Sequence, residues 1–559
     1  MKKYCILFIC VLFIVADVCA QTTQRERVYL QTDKQLYISG ELLWMKLYTT
    51  DEKGKLTAFS KIGYVELLSD SIAEAQVKLD ITGGTGVGCM ELSPMLPTGH
   101  YRLVAYTRAM RNEPADVFFE KTVSIINPYV GDEGSIGDQK DADTKHFGSF
   151  SREAINPTMI STDRTVYTNR SRGEIRLKDL PATYLSLAVS VAGADPLAAP
   201  EASVVNWKKG LSAREAVPRT DRYLPEYEGA IIEGVIIDNK TGEAKQDQYA
   251  NALLSFPGND IQLFGGQPGE NGQVTFFTHQ ISGKKEAVTV AYTPYEESFR
   301  LDLSSPFVTH ATQALPPLKI DSGWHNYLEQ RNLGVQIVEA YTSDSLSRVK
   351  PLSPYFNYKP YKSYILDEYT RFGRMDEVFL EFVTPVRLRK TNTGRVFNTL
   401  NERMDGFAMG QTLVLLDNVP VMNHELMAAY NPLLVRKIEV FLGRYLFGEQ
   451  LFEGMVSFTT YNNDYPSITF GQDTQLFDYE GTQRYRYFYS PVYDGEASTR
   501  MPDFRHTLLW EPALENRGEK ERVIPFYTSD LPGIYRATVE GIGADGTVVS
   551  ASCIFEVKE

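Results

Sequence analysis

His424 and Glu425 are adjacent residues whose types suggest metal chemistry. A second histidine four residues on would share their helix face, complete a zinc site and leave the glutamate as base. Position 428 is Ala428, so that reading fails. Gly83-Gly84-Thr85-Gly86-Val87-Gly88 has the glycine density of a phosphate cradle, but no Lys-Ser/Thr pair follows it. Met90-Glu91-Leu92 reads as a strand rather than as the start of a helix, so a turn is expected there. Asp138, Asp141 and Asp143 lie in a stretch without the glycine and closing glutamate of a calcium loop, and read as part of a solvated linker. The seven histidines are dispersed and no Gly-x-Ser-x-Gly elbow occurs. The chain is therefore expected to be non-catalytic, with no cofactor and no metal. A site assembled from distant residues would escape such a search, because it is recognised by geometry.

Tyrosines suggest binding instead. Tyr355, Tyr358, Tyr361 and Tyr364 recur every third residue with Lys359, Pro360 and Lys362 between them, and Tyr485, Tyr487, Phe488 and Tyr489 form a second cluster. A period of three with proline suits an extended segment lying on a surface. Tyrosine supplies rigid contact area with a polar tip, so the stripe is a candidate site for a protein, peptide or glycan. The competing expectation is that these rings cover a seam between domains.

The elements that must position such residues follow from the composition. The 559 residues suffice for several domains. Apolar residues at 43% and charged residues at 23% describe a globular chain. The net charge of −14 argues against nucleic acid or an anionic lipid surface as the main partner. Tyr (33) and Phe (29) favour strands.

Residues 1–20 carry Lys2 and Lys3, an apolar run from Ile6 to Val15, and Val18-Cys19-Ala20 before Gln21, which reads as a cleaved signal peptide. The expectation is an exported protein, periplasmic or outer-membrane associated, whose mature chain from Gln21 has no transmembrane segment. Cys19 leaves lipidation open as an alternative. Of the five cysteines only Cys89 and Cys553 would remain, too far apart in sequence to suggest a disulfide framework.

Alternating strands begin at Arg27. Thr32-Asp33-Lys34, Tyr37 and Gly40-Glu41 precede a strand at Leu43–Tyr48, and Leu96-Pro97-Thr98-Gly99-His100-Tyr101-Arg102-Leu103 opens another. Together they resemble a macroglobulin-type domain of the alpha-2-macroglobulin family, a β-sandwich that in the family serves spacing and contact. The opening signal returns at Thr162-Asp163-Arg164 and Tyr167, with Glu174-Ile175-Arg176-Leu177 in the place of Trp44–Leu47, an internal repeat. Gly88-Cys89-Met90-Glu91-Leu92 invites comparison with that family's thioester motif, but Leu92 stands where the acyl-donor glutamine belongs. Cys89 is expected to be a small buried strand residue.

Gly229–Asp238, Thr241-Gly242-Glu243 and Asn271–Phe277 resemble a carboxypeptidase-regulatory β-sandwich, and Trp324–Tyr341 is expected to be helical. Thr412–Val421, Asn431–Phe441, Tyr445, Phe447-Gly448 and Phe452–Tyr461 are similar to the plug domain of TonB-dependent outer-membrane receptors. Asn418 stands where that family prefers Gly. The sequence after Tyr461 is far shorter than a barrel of about 22 strands, each ~9–11 residues long, requires. A plug-like fold without a barrel is expected, and Asp417, Asn418 and Pro420 at its first turn are candidate partner contacts. Leu531-Pro532-Gly533-Ile534-Tyr535-Arg536 repeats the closing signal and suggests one more sandwich.

The expected fold is mainly β, a multidomain series of β-sandwiches with one α+β plug-like domain. Its expected segments are a signal peptide (1–20), a macroglobulin-type sandwich (21–130) and a linker (131–150). A second macroglobulin-like domain (151–222), a regulatory-like sandwich (223–300) and a partly helical, Tyr-rich connector (301–374) follow. The plug-like domain (375–465) and a C-terminal sandwich (466–559) complete the series. This set resembles exported envelope proteins of Bacteroidota. The expected function is a non-catalytic scaffold or accessory subunit of an outer-membrane assembly, bound to a barrel or envelope protein. The alternative is a glycan- or peptide-binding protein using the tyrosine stripe, and an alpha-2-macroglobulin-like protease inhibitor ranks third.

Overall fold

The computed structural model describes residues 25–128, 155–156, 158–195, 203–213, 218–244, 251–258, 261–292, 299–318, 320, 324–341, 359–392, 394–493 and 502–559. The signal peptide, the linker with its aspartates, and Tyr355 and Tyr358 lie outside them. The fold is mainly β, built of several sheets. No helix among the described residues is long and apolar enough to cross a membrane.

The chain forms two compact units. The first unites 1–227, 309–350 and 482–559; the second unites 228–308 and 351–481.

In the first unit, strands from Arg27–Thr32 to Phe119–Ile126 make one sandwich. The Ile72–Thr82 strand pairs with Ile62–Ser69 and then, through Ile81 and Thr82, with Thr85–Glu91, so it joins both layers. Gly83 (φ +60°) and Gly84 (φ +82°) form the two-residue turn there, in the left-handed region that such hairpins require. The first two glycines of the run are the expected turn, and Thr85–Gly88 continue as strand.

The second sandwich changes the domain plan. Strands Val166–Thr168, Arg172–Leu177 and Tyr184–Gly193 find partners beyond residue 500, and Ile160–Thr162 joins them by pairing with Arg172–Leu177. Tyr184–Gly193 lies between Thr507–Arg517 and Gly533–Gly543, and Arg172–Leu177 pairs with Arg522–Tyr527. One core encloses Ile175, Leu187, Phe526, Val539 and Phe555. The strands of 151–222 and those from Thr507 onward are thus two parts of a single sandwich. Its strand Tyr184–Gly193 is buried along both faces, with Leu185, Leu187, Val189 and Val191 on one and Ser186, Ala188 and Ser190 on the other.

The helix His325–Tyr341 belongs to the first unit, where Leu328 and Val335 pack on Leu36, Ile38 and Ile126. It is part of a core rather than of a connector.

In the second unit, two four-stranded sheets are built from strands between Ile231 and Leu303, with Thr474–Glu480 as an edge strand paired to Lys284–Tyr292. That edge strand lies in the stretch expected to belong to the C-terminal sandwich. A five-stranded sheet runs in the order Lys362–Ile365, Val435–Phe447, Gln450–Thr460, Leu413–Leu416, Val419–Pro420. Helices Met375–Glu381 and His424–Ala428 pack on it through Val378, Phe379 and Met427. This α+β body therefore begins at Lys362, ahead of the expected boundary at 375. Its central hairpin turns at Gly448 (φ +60°) and Glu449, with the positive φ at the first turn position that a type II′ turn requires.

Candidate functional site

Tyr361 and Tyr364 do not share a face. Tyr364 lies on the strand Lys362–Ile365 and Tyr361 just ahead of it, and three residues apart in extended chain they point to opposite sides, because side chains alternate with period two. Tyr361 is 48% exposed, whereas Tyr364 is 1% exposed and packs among Leu366, Phe382 and Phe379. Burial pushes the Tyr364 hydroxyl up to about 12. Tyr364 is a core residue, which corrects its expected place in a binding stripe. In the second cluster Phe488 packs edge-on against Trp44 at 5.4 Å, beside Trp510, and so covers a seam inside the first unit.

Asp417 and Asn418 are also internal. Their φ values of +49° and +70° make the type I′ turn that joins Leu416 to Val419. Asp417 is 2% exposed and accepts from Thr460 N (2.7 Å), Thr460 Oγ1 (2.6 Å) and Tyr465 N (2.8 Å). Asn418 donates to the Gly258 carbonyl, and Pro420 is buried. The three residues hold a turn and offer no free surface, so the expectation of partner contacts is corrected for them.

Several exposed apolar residues of the second unit lie on or beside the hairpin Val435–Thr460, whereas Phe277 and Leu380 are exposed on other elements. Leu446 and Leu451 are direct cross-strand partners and are 67% and 45% exposed. The next outward pair, Arg444 and Glu453, forms a 3.5 Å ion pair. Glu453 also accepts from Gly410 N (2.8 Å), which anchors the loop that presents Met404 and Met409. The Tyr361 hydroxyl lies 3.9 Å from Met404 Sδ. Of the tyrosines read as a stripe, Tyr361 alone is both described and exposed. The exposure of Leu446, Leu451, Met404 and Met409 carries no signal in the sequence, where they look like core residues.

The first unit holds its ionisable groups inside. Arg331, 4% exposed, donates to both Asp195 oxygens (2.7 and 2.9 Å), to Glu41 Oε1 (3.2 Å) and approaches His506 Nε2 (3.0 Å). Tyr327 donates to the same Asp195. Burial works against the charge on Glu41, but Lys34 and Arg331 outweigh it and hold the carboxyl down at about 2. Burial depresses His506, and the Arg331 cation adds to the effect. Lys46, 1% exposed, donates to Ser186 Oγ (2.8 Å) and the Leu187 carbonyl (2.9 Å), and burial pulls it down to about 7.

Neither sequence candidate for chemistry gathers a reacting set. His424 Nδ1 accepts from Phe397 N at 3.3 Å, and burial lowers it to about 4. Glu425 binds Arg395 at 2.5 Å. Cys89 is buried and free, its main chain bridged by the Gln483 amide (2.7 and 2.6 Å) in the manner of a strand partner. Cys553 is also buried and free.

No family model matches the chain, and no curated protein matches it. Solved structures do. A Salmonella alpha-2-macroglobulin mutant aligns at 9% identity and a TM-score of 0.24, over 96% of this chain and 39% of the other. Trypsin-activated alpha-2-macroglobulin from Escherichia coli aligns at 10% identity and 0.23, over 95% and 41%. An Escherichia coli adhesin, FdeC, aligns at 10% and 0.16, over 49% and 62%. The chain spans about two fifths of the macroglobulins' length. At these TM-scores the likenesses assign no family.

Proposed function

We propose that the chain is an exported, non-catalytic scaffold, an accessory subunit that docks on an outer-membrane barrel or envelope protein through its second unit. The reading rests on the exposed Leu446–Leu451 pair at the end of a long hairpin, with exposed Met409 in the loop that Glu453 holds and exposed Met404 beside Tyr361. Large apolar side chains gathered on a surface and rimmed by an ion pair are the composition of a protein interface. The resemblance of this unit's motifs to receptor plugs, together with the apparent signal peptide, suggests an envelope partner, by analogy of fold.

The test is a crosslinked pull-down of the tagged full-length protein from fractionated envelopes, compared with a Leu446→Asp, Leu451→Asp double variant. Stoichiometric recovery of an outer-membrane barrel or envelope protein by the parent, lost in the variant, supports the reading. Equal recovery by both, or recovery of the protein alone from the soluble fraction, refutes it.

A further inference from the structure

The first unit contains a pocket of about 780 Å³, a volume typical of small-molecule and peptide-end sites. One wall is the helix Val204–Ala213, which presents Trp207 and Gly210 on the same face. The facing wall is Phe118 and Phe119, and the third is the extended stretch 310–313. A Cβ added to Gly210 would meet nothing within 4 Å, so the helix wall is recessed there.

Arg102 lines this pocket and is 6% exposed. Its guanidinium donates to Gln313 Oε1, to the Asp70 carbonyl (3.1 Å) and to the Ala311 carbonyl (3.3 Å). Every one of those acceptors is neutral, and Nε has no acceptor among the described residues. Of the other buried arginines of the unit, Arg27 meets Glu113 at 2.9 Å and Arg331 meets Asp195 at 2.7 Å, while Arg108 lies over the Tyr223 ring at 5.3 Å. Burying a cation without a counter-charge is costly, so an anion entering this pocket would gain strongly. The nearby Glu66 carboxylate is engaged by Tyr106 (2.6 Å), His310 (2.9 Å) and Gln76 (2.7 Å). Asp116 and Glu120, exposed at the pocket, disfavour a doubly charged anion such as phosphate and can accept from N–H donors.

We propose that this pocket binds the C-terminal end of a peptide, its carboxylate on Arg102, its last side chain against Trp207 and Phe118, and its amides toward Asp116 and Glu120. The site is independent of the second unit's docking surface, and the Leu446→Asp, Leu451→Asp variant should bind such peptides unchanged.

Calorimetry on the full-length protein tests this with a pentapeptide ending in Leu-Phe as free acid, its C-terminally amidated twin, and N-acetylphenylalanine. The acid is expected to bind at least about tenfold more tightly than the amide, as loss of a charge-assisted pair implies. Gly210→Phe should keep the parent's melting temperature and lose binding by at least as much. Arg102→Gln, where it folds, should bind acid and amide equally. The proposal is overturned by equal binding of acid and amide to the parent, by no binding at millimolar peptide, or by undiminished binding to Gly210→Phe. N-acetylphenylalanine binding as tightly as the pentapeptide would overturn the assignment to a peptide end.

Discussion

Arg331 grips both oxygens of Asp195, at 2.7 and 2.9 Å, across 136 residues of sequence, and both side chains are almost wholly buried. The pair ties the helix His325–Tyr341 to the end of the second sandwich's central strand. Breaking a buried pair leaves its partner's charge uncompensated, so Arg331→Met should cost about 3–5 kcal/mol of stability in denaturant titration. The double variant Arg331→Met, Asp195→Leu removes both charges and should recover much of that loss. A double variant no more stable than the single one would show that the arginine acts mainly by packing.

The same cluster sets an acid limit on the first unit. Glu41, at about 2 when folded against 4.5 otherwise, contributes stability that is complete above pH 4.5 and is lost as pH falls toward 2. His506, buried and depressed, contributes in the same sense: the unfolded chain takes up its proton first, so stability declines as pH falls through 6.5. Asp33, whose carboxyl burial raises, opposes them. Melting curves should therefore show lower transition temperatures on acidification from pH 7 to 3. In Glu41→Gln the fall should be shallower below pH 4.5. An identical pH slope in parent and variant would contradict this assignment.

The repeated opening signal was readable because each copy is a local clip. Tyr37 donates to Asp33 (2.8 Å), which also accepts from Trp44 N (3.2 Å); Tyr167 donates to Asp163 (2.7 Å), which accepts from Glu174 N (2.7 Å). Lys34 and Arg164 lie over the two tyrosine rings at 5.0 and 4.8 Å. The closing signal is a tyrosine corner in both sandwiches, Tyr101 to the Pro97 carbonyl (2.7 Å) and Tyr535 to that of Leu531 (3.0 Å). Even the parallel pairing recurs, Tyr37 beside Ile125 and Tyr167 beside Val557. What escaped the sequence is that the second opening and the last closing belong to one sandwich, interrupted by the second unit. Local motifs carry no record of which distant strand completes their sheet. The apolar hairpin end and the Arg102 pocket escaped for the same reason, since exposure and missing counter-charges exist only in three dimensions.

The clips differ in burial, and this difference is measurable. Asp33 is 4% exposed and Tyr37 is fully buried, whereas the Asp163 side chain is 20% exposed. Removing the hydroxyl from Tyr37 leaves a buried carboxylate short of a donor, so Tyr37→Phe should cost about 1–3 kcal/mol. Tyr167→Phe should cost less, because water can replace the lost donor at Asp163. Equal losses in the two variants would count against burial as the deciding factor.

Asp417 offers a direct contrast between holding a turn and contacting a partner. Its carboxylate satisfies two main-chain N–H groups and the Thr460 hydroxyl. Asp417→Ala strips all three and places alanine at φ +49°, so a loss of about 2–4 kcal/mol is expected. Asp417→Asn keeps one acceptor oxygen and a residue that tolerates that φ, and should lose clearly less. Parent-like stability in Asp417→Ala, with partner recovery abolished, would restore the contact role.

Gly265 governs how the hairpin tip rests on the Gln262–Gly265 strand. A Cβ there would fall 1.9 Å from the Phe447 carbonyl carbon and 2.1 Å from Gly448 N, both main-chain atoms with no rotamer to yield. Gly265→Ala must therefore push the tip away, opening the core where Phe447 packs on Phe452 and Leu263. The expected cost is about 1–3 kcal/mol, that of overpacking a core, with faster hydrogen exchange confined to the two tip strands. Gly258→Ala, where an added Cβ meets nothing within 4 Å, serves as the control and should leave exchange unchanged. Equal protection in Gly265→Ala and the parent would mean that the tip is not held by this backbone contact, and that the exposed Leu446–Leu451 pair is positioned by the remaining hairpin pairing alone.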